Sequence, residues 1–207
     1  VFGYTDGTPL GTHFFPDLRL EDYYLYTPGF AFIGDRLTFP SGTPEGWAIY
    51  SIGSTEAAPS PVMSYPAGSD IRAFSWTEDF AIEGRAVYLA SVPVTPSPDV
   101  SYETRLVATA GTVETTEEIA TFCAGGVENC ELLPVGRAGA ALVFLERTPT
   151  ECNLWRTDGT SAGTVEVRTL GAFCASYLFA PVASGSSFRP DRRGRCDQDG
   201  ESGFRLE

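Results

Sequence analysis

The sequence predicts an all-β, propeller-like chain of about four blades, each made of four antiparallel strands. Three observations lead there. The turn TDGTxxGT occurs twice, in FGYTDGTPLGTHFF near the start and in NLWRTDGTSAGTVEV, residues 153–167. Short apolar strands recur around it in a fixed order, with a period of about fifty residues. The composition suits strands and turns: among 207 residues there are 14 Phe, 9 Tyr, 22 Gly and 15 Pro, and aromatic and β-branched residues fit a pleated surface. The longest windows without Gly or Pro carry Thr, Val, Phe and Tyr, so no long amphipathic helix is expected.

Aligned without gaps, the two TDGT copies put Phe2 on Leu154, Asp6 on Asp158, Gly7 on Gly159 and Thr12 on Thr164. Two weaker copies lie between them. AIYSIGS, from Ala48, keeps the apolar start and the glycine, and LVATAGT, from Leu106, keeps Gly-Thr without the aspartate. A fifth start, GFRLE from Gly203, ends the chain. Upstream of each copy stands a turn glycine with a short strand: Gly34 in GDRLTF, Gly84 ahead of RAVYL, Gly139 in GAALVFL and Gly185 in GSSF. Before that comes another strand, in YYLYTPGFAFI, IRAFSWTEDFAI, ELLPVGRA and YLFAPVAS. After the turn comes one more, in THFFPDL, SPVMSYP, EEIATF and TVEVRTL. The units fall at 23–70, 71–126 and 127–176, with 177–207 and 1–22 making a fourth from the two ends. TDGT then closes the hairpin between the last two strands of a unit. Gly7 and Gly159 supply a positive φ. Asp6 and Asp158 accept backbone N–H groups across the turn, and Thr8 and Thr160 complete it. A residue lost from the middle copies suits a structural staple better than a catalytic group.

At these residues the chain resembles the bacterial ELWxxDGTxxGT repeat proteins, which are secreted or surface proteins with propeller-like arrays. CNLWRTDGTSAGTVEVRTL is a near-full match, FGYTDGTPLGTHFFPDL matches from the turn onward with Gly3 where the family has Trp, and DQDGESGFRLE resembles the strand before the motif. The resemblance implies fold and export rather than a chemistry, since the family has no single activity. The turn is also similar to the Asp-box of sialidase propellers, but the SxDxGxTW order is not met and no enzymology carries over. The chain starts and stops inside equivalent strands. Pairing of end strands 1–8 and 203–207 would close a ring and remove exposed sheet edges; the alternative is a piece of a longer array that self-assembles through those strands. Val1 is not an initiator, so a removed leader or a cut from a longer chain is expected.

Charge bounds the partners. The net charge is −13 and all fourteen cations are Arg, so a phosphate backbone is a poor partner, and a soluble protein or carbohydrate ligand is expected. The basic stretch FRPDRRGRC reads as a solvated loop. No run of about 18 apolar residues is present, so no membrane span is expected. The five cysteines, Cys123, Cys130, Cys152, Cys174 and Cys196, lack paired metal spacing and lie near predicted loops. Zinc is therefore not expected, and disulfides in an oxidising compartment are. Cys123–Cys130 spans a short loop, while Cys152, Cys174 and Cys196 compete for a second bridge. Calcium is the sharpest cofactor expectation, at Asp197, Asp199 and Glu201, where alternating carboxylates suit a hard cation; an acidic inter-strand loop is the plainer reading.

No catalytic residue stands out. Glycoside hydrolysis needs two carboxylates at a set separation, and none of the 27 acidic residues is singled out. His13 has no GxSxG context around it. Trp47, Trp76 and Trp155 read as core packing before sugar stacking. The expected function is a non-catalytic, extracytoplasmic binding or assembly module, with a carbohydrate-active or metal-assisted hydrolase on the same scaffold as the alternative.

Overall fold

The computed structural model describes residues 2–5, 9, 12–15, 29–43, 45–74, 80–94, 101–127 and 130–171. Among them there is no α-helix. They form a two-stranded ribbon and three larger antiparallel sheets. In the ribbon, β1 (Phe2–Thr5) pairs with β2 (Thr12–Phe15) across the first TDGT copy, with Thr5 opposite Thr12.

Sheets I and III are meanders, with every strand beside its neighbour in sequence, and sheet II is one in which two short segments together take the place of the first strand. Sheet I runs β3 (Ala31–Ile33), β4 (Arg36–Thr43), β5 (Gly46–Gly53), β6 (Ser60–Pro66). Sheet II begins with two short segments, β7 (Asp70–Ala73) and β8 (Ala81–Ile82), that both pair with β9 (Arg85–Pro93), followed by β10 (Tyr102–Thr109) and β11 (Glu117–Phe122). Sheet III runs β12 (Glu131–Ala138), β13 (Ala141–Arg147), β14 (Cys152–Thr157), β15 (Val165–Gly171). The sequence reads IRAFSWTEDFAI as one strand, whereas the structure splits it, with Phe74 and Phe80 hydrogen-bonded to either side of Val87.

The second strand of each sheet sets the packing. Phe39, Tyr88 and Phe144 are equivalent residues of β4, β9 and β13, and all three are fully buried. Tyr88 reaches toward sheet I, where its hydroxyl meets that of Thr38 at 2.8 Å and the Gly29 carbonyl at 3.2 Å. Phe144 packs edge-on against Phe74 and Phe122 of sheet II, at 5.2 and 5.4 Å between ring centroids. Both Tyr88 and Phe144 thus face the preceding sheet. Because β9 has a sheet on both sides, residues 86–90 are buried without alternation, the pattern of a strand covered on both faces. One continuous core joins Ile33 and Ile49 of sheet I, Ile71 and Leu106 of sheet II, and Leu132 and Leu142 of sheet III. Two smaller clusters lie on the outward faces: Phe39 and Ile52 with Phe30, Leu37 and Tyr50 on sheet I, and Val143, Leu145 and Leu154 with Leu133, Val135 and Leu170 on sheet III.

The fourth strands repeat a local irregularity. Their pairing with the strand before passes over Val62 in sheet I, Ile119 in sheet II and, in sheet III, Val167 together with Leu170 nearer the strand end. This is a β-bulge. Val62 is 7% exposed and Ile119 5%, both within the shared core, but Val167 is 53% exposed.

Candidate functional site

The second TDGT copy shows what the repeated turn does. Thr157 is fully buried at the end of β14; its hydroxyl accepts from the Gly159 N–H at 3.0 Å and meets the Thr164 hydroxyl at 2.8 Å. Thr164 in turn donates to the Thr160 carbonyl at 2.7 Å. The Asp158 carboxylate accepts from both the backbone N–H and the hydroxyl of Thr160, at 2.9 and 2.7 Å, the geometry of an Asx-turn. These bonds, the Thr160 hydroxyl first, hold the Asp158 carboxyl below its ordinary pKa. Gly159 sits at φ +85°. A Cβ on Gly163 would coincide with the Asp158 carboxylate.

The copy that lacks the aspartate keeps the same frame. Thr109 accepts from the Gly111 N–H at 2.9 Å and meets Thr116 at 2.6 Å, and Thr116 donates to the Thr112 carbonyl at 2.6 Å. Ala110 stands where Asp158 does, and Thr115 where Gly163 does. The Thr112 N–H is now received by the Thr115 hydroxyl at 3.2 Å. Asp/Gly and Ala/Thr are therefore two solutions for one backbone donor: the carboxylate reaches in from one side of the turn, or a hydroxyl from the other. In AIYSIGS a different donor of the turn changes partner: the Gly53 N–H, equivalent to those of Gly111 and Gly159, goes to the Glu56 carboxylate at 2.9 Å. The Arg36 guanidinium holds the same carboxylate with two bonds, at 2.8 and 3.0 Å, and keeps its pKa below the usual range.

Arginines join these turns to the neighbouring sheet. Arg36 opens β4, and its side chain lies against Gly111 of sheet II, where a Cβ would come within 3.0–3.1 Å of it. Arg85 occupies the same place in sheet II and donates to the Gly159 carbonyl of sheet III at 2.8 Å and to Glu117 at 2.6 Å. Across sheets I and II, Tyr65 of β6 and Arg105 of β10 both donate to the same oxygen of Glu118 on β11, at 2.9 Å each, with the guanidinium 5.9 Å from the Tyr65 ring centre. Burial and the Glu118 acceptor push the Tyr65 hydroxyl pKa well above its usual value.

Cys123 and Cys130 form a disulfide, with Sγ atoms 2.06 Å apart. Glu146 approaches this pair from β13, and the Cys123 N–H reaches its carboxylate at 3.5 Å. Both sulfurs and a Glu146 oxygen lie within 4.8 Å of one another, the one group of potential metal donors among the described residues. Asn153 stands directly across from Glu146 on β14, two residues from Trp155 on the same face. Cys152 is a buried free thiol that alternation places on the other face of that strand.

Of the remaining candidates, Trp155 packs against Phe122 at 4.9 Å and Trp47 lies against the main core. His13 stands on β2 opposite Tyr4 in register. Asp6, Gly7 and Thr8, the calcium candidates Asp197, Asp199 and Glu201, and Trp76, Cys174 and Cys196 lie outside the described residues. No helix among the described residues is long and apolar enough to cross a membrane. The turn arginines and the Glu146 approach escaped the sequence reading. Arg36 and Arg85 had a visible signal, since both closely follow a hairpin glycine, Gly34 and Gly84; Glu146 had none, being in a strand sixteen residues from Cys130. The chain matches no family model, no curated protein and no solved structure.

Proposed function

We propose that the three sheets are blades of a small propeller-like ring, that residues 177–207 with 1–22 supply the fourth, and that the ring is a non-catalytic, extracytoplasmic binding module. The observation that carries the reading is the repetition of one contact between sheets. Arg36 lies on the TxGT turn of sheet II as Arg85 does on that of sheet III. Tyr88 and Phe144 each face the sheet before their own. One geometric step applied twice is how radial arrays are built. The two outward apolar clusters, on sheets I and III, are the faces that a fourth blade would cover. The Cys123–Cys130 bridge is compatible with an oxidising compartment.

The polar residues of the repeated turns serve the turn itself: Thr109, Thr116, Thr157, Thr164 and Asp158 bond within their own hairpins. Specificity would then reside in the connecting loops, as it does on rigid scaffolds. An array of immobilised glycans and of basic or neutral proteins tests this. Saturable binding without turnover is expected. Hydrolysis of a bound glycan, abolished by replacing one carboxylate, would establish the hydrolase instead.

A further inference from the structure

The junction of sheets II and III carries a donor set that the turn chemistry does not use. Glu146 of β13 points to the same face as Phe144, toward sheet II, and Asn153 is its cross-strand partner. The Asn153 Oδ1 and the Trp155 Nε1 are both buried and have no hydrogen-bond partner among the described residues. A buried amide oxygen without a donor is costly. It stands in the row of the Glu146 carboxylate, whose oxygen is grouped with the sulfurs of Cys123 and Cys130 within 4.8 Å. Thiolates that share one zinc ion stand about 3.8 Å apart in tetrahedral geometry, so the two sulfurs, bonded at 2.06 Å, must separate on reduction to take that spacing beside the Glu146 carboxylate.

We propose that reduction of the Cys123–Cys130 bond creates a site for a soft or borderline divalent cation, zinc in the first place. The two thiolates and the Glu146 carboxylate are ligands, and the Asn153 amide oxygen is the fourth donor. Two sulfurs with oxygen donors favour zinc over calcium or magnesium. The chemistry balances simply. A phosphine gives two electrons to the disulfide, takes an oxygen from water and leaves as its oxide, while the two protons of that water complete the two thiols. Binding the cation then releases both protons to solvent. Disulfide and metal compete for the same sulfurs, so the bound cation protects the dithiol from reoxidation. The inference does not depend on whether the sheets close into a ring.

The test uses the full chain carrying Cys152→Ser, Cys174→Ser and Cys196→Ser, which leaves only the two cysteines of the site. After phosphine reduction without oxygen, cobalt(II) is titrated in as a coloured substitute for zinc. One equivalent per chain is expected, with a thiolate-to-cobalt charge-transfer band and the visible bands of tetrahedral cobalt, all displaced by zinc. The oxidised protein should give no band. Glu146→Gln should keep a thiolate band but lower the affinity about tenfold or more. Far-UV circular dichroism of the reduced protein, recorded alongside, checks that the strands remain. A reduced and folded protein without the band overturns the proposal. So does an affinity unchanged by Glu146→Gln, or strand structure lost on reduction.

Discussion

At the scale of single residues, the exchange of Asp158 and Gly163 for Ala110 and Thr115 is the most specific feature of the turn. The carboxylate and a Cβ at position 163 cannot occupy the same space, and a threonine there makes the carboxylate unnecessary, as Thr115 does for Thr112. Asp158→Ala alone should cost about 1 kcal/mol through loss of the Thr160 bonds. Gly163→Thr alone should cost about 1–3 kcal/mol by overpacking. The double variant should lose less than the sum, with a coupling of about 1 kcal/mol or more measured by denaturant unfolding. Acid titration addresses the same carboxylate. Its pKa is depressed in the folded state, so its contribution is present above the unfolded value of about 3.9 and is lost as the pH falls through the lower folded value. The melting temperatures of wild type and Asp158→Asn should therefore differ at neutral pH and converge as the pH falls through the lowered folded value; a constant gap would contradict the assignment.

At the scale of elements, the order of strands within each sheet was legible because it rests on local signals. Apolar runs such as LVATA and ALVFL, bounded by Gly139 or by the Gly111 turn, fix where strands begin and end. The break between β7 and β8 was not legible, since IRAFSWTEDFAI carries no Gly or Pro to mark it and only the pairing of both segments with β9 divides it. Contacts between sheets were hidden for another reason: Arg85 meets Gly159 across 74 positions, and nothing in a single sequence marks such a partner. Removing it is informative. Arg85→Ala leaves the Gly159 carbonyl and the Glu117 carboxylate without this donor and should destabilise the chain by about 1–2 kcal/mol. The loss should appear as faster hydrogen exchange at the β14–β15 turn, whereas uniform acceleration across sheet I would argue against a local junction. Tyr88→Phe tests the junction of sheets I and II, where loss of the Thr38 and Gly29 contacts should cost about 1 kcal/mol.

At the scale of the whole molecule, the period of about fifty residues predicts sheets of equal build; sheets I and III have four strands each, and sheet II has five because its first element is split. The period alone leaves open which element covers the far side of sheet III. There the bulge residue Val167 is exposed where Val62 and Ile119 are buried, and Ala141 stands where Arg36 and Arg85 open their strands. The step that joins sheet I to II and II to III is thus not repeated with the same residues. Closure of the ring depends on residues 177–207 and 1–22, and it is the central claim of the account. Light scattering coupled to small-angle X-ray scattering, over a hundredfold range of concentration, tests it most directly. A closed ring predicts a single chain of 22.2 kDa with a radius of gyration of about 17 Å, the value for a compact domain of this length, at every concentration. A mass that climbs in whole-chain steps, with a radius that grows alongside, would contradict closure and assign the end strands to pairing between chains.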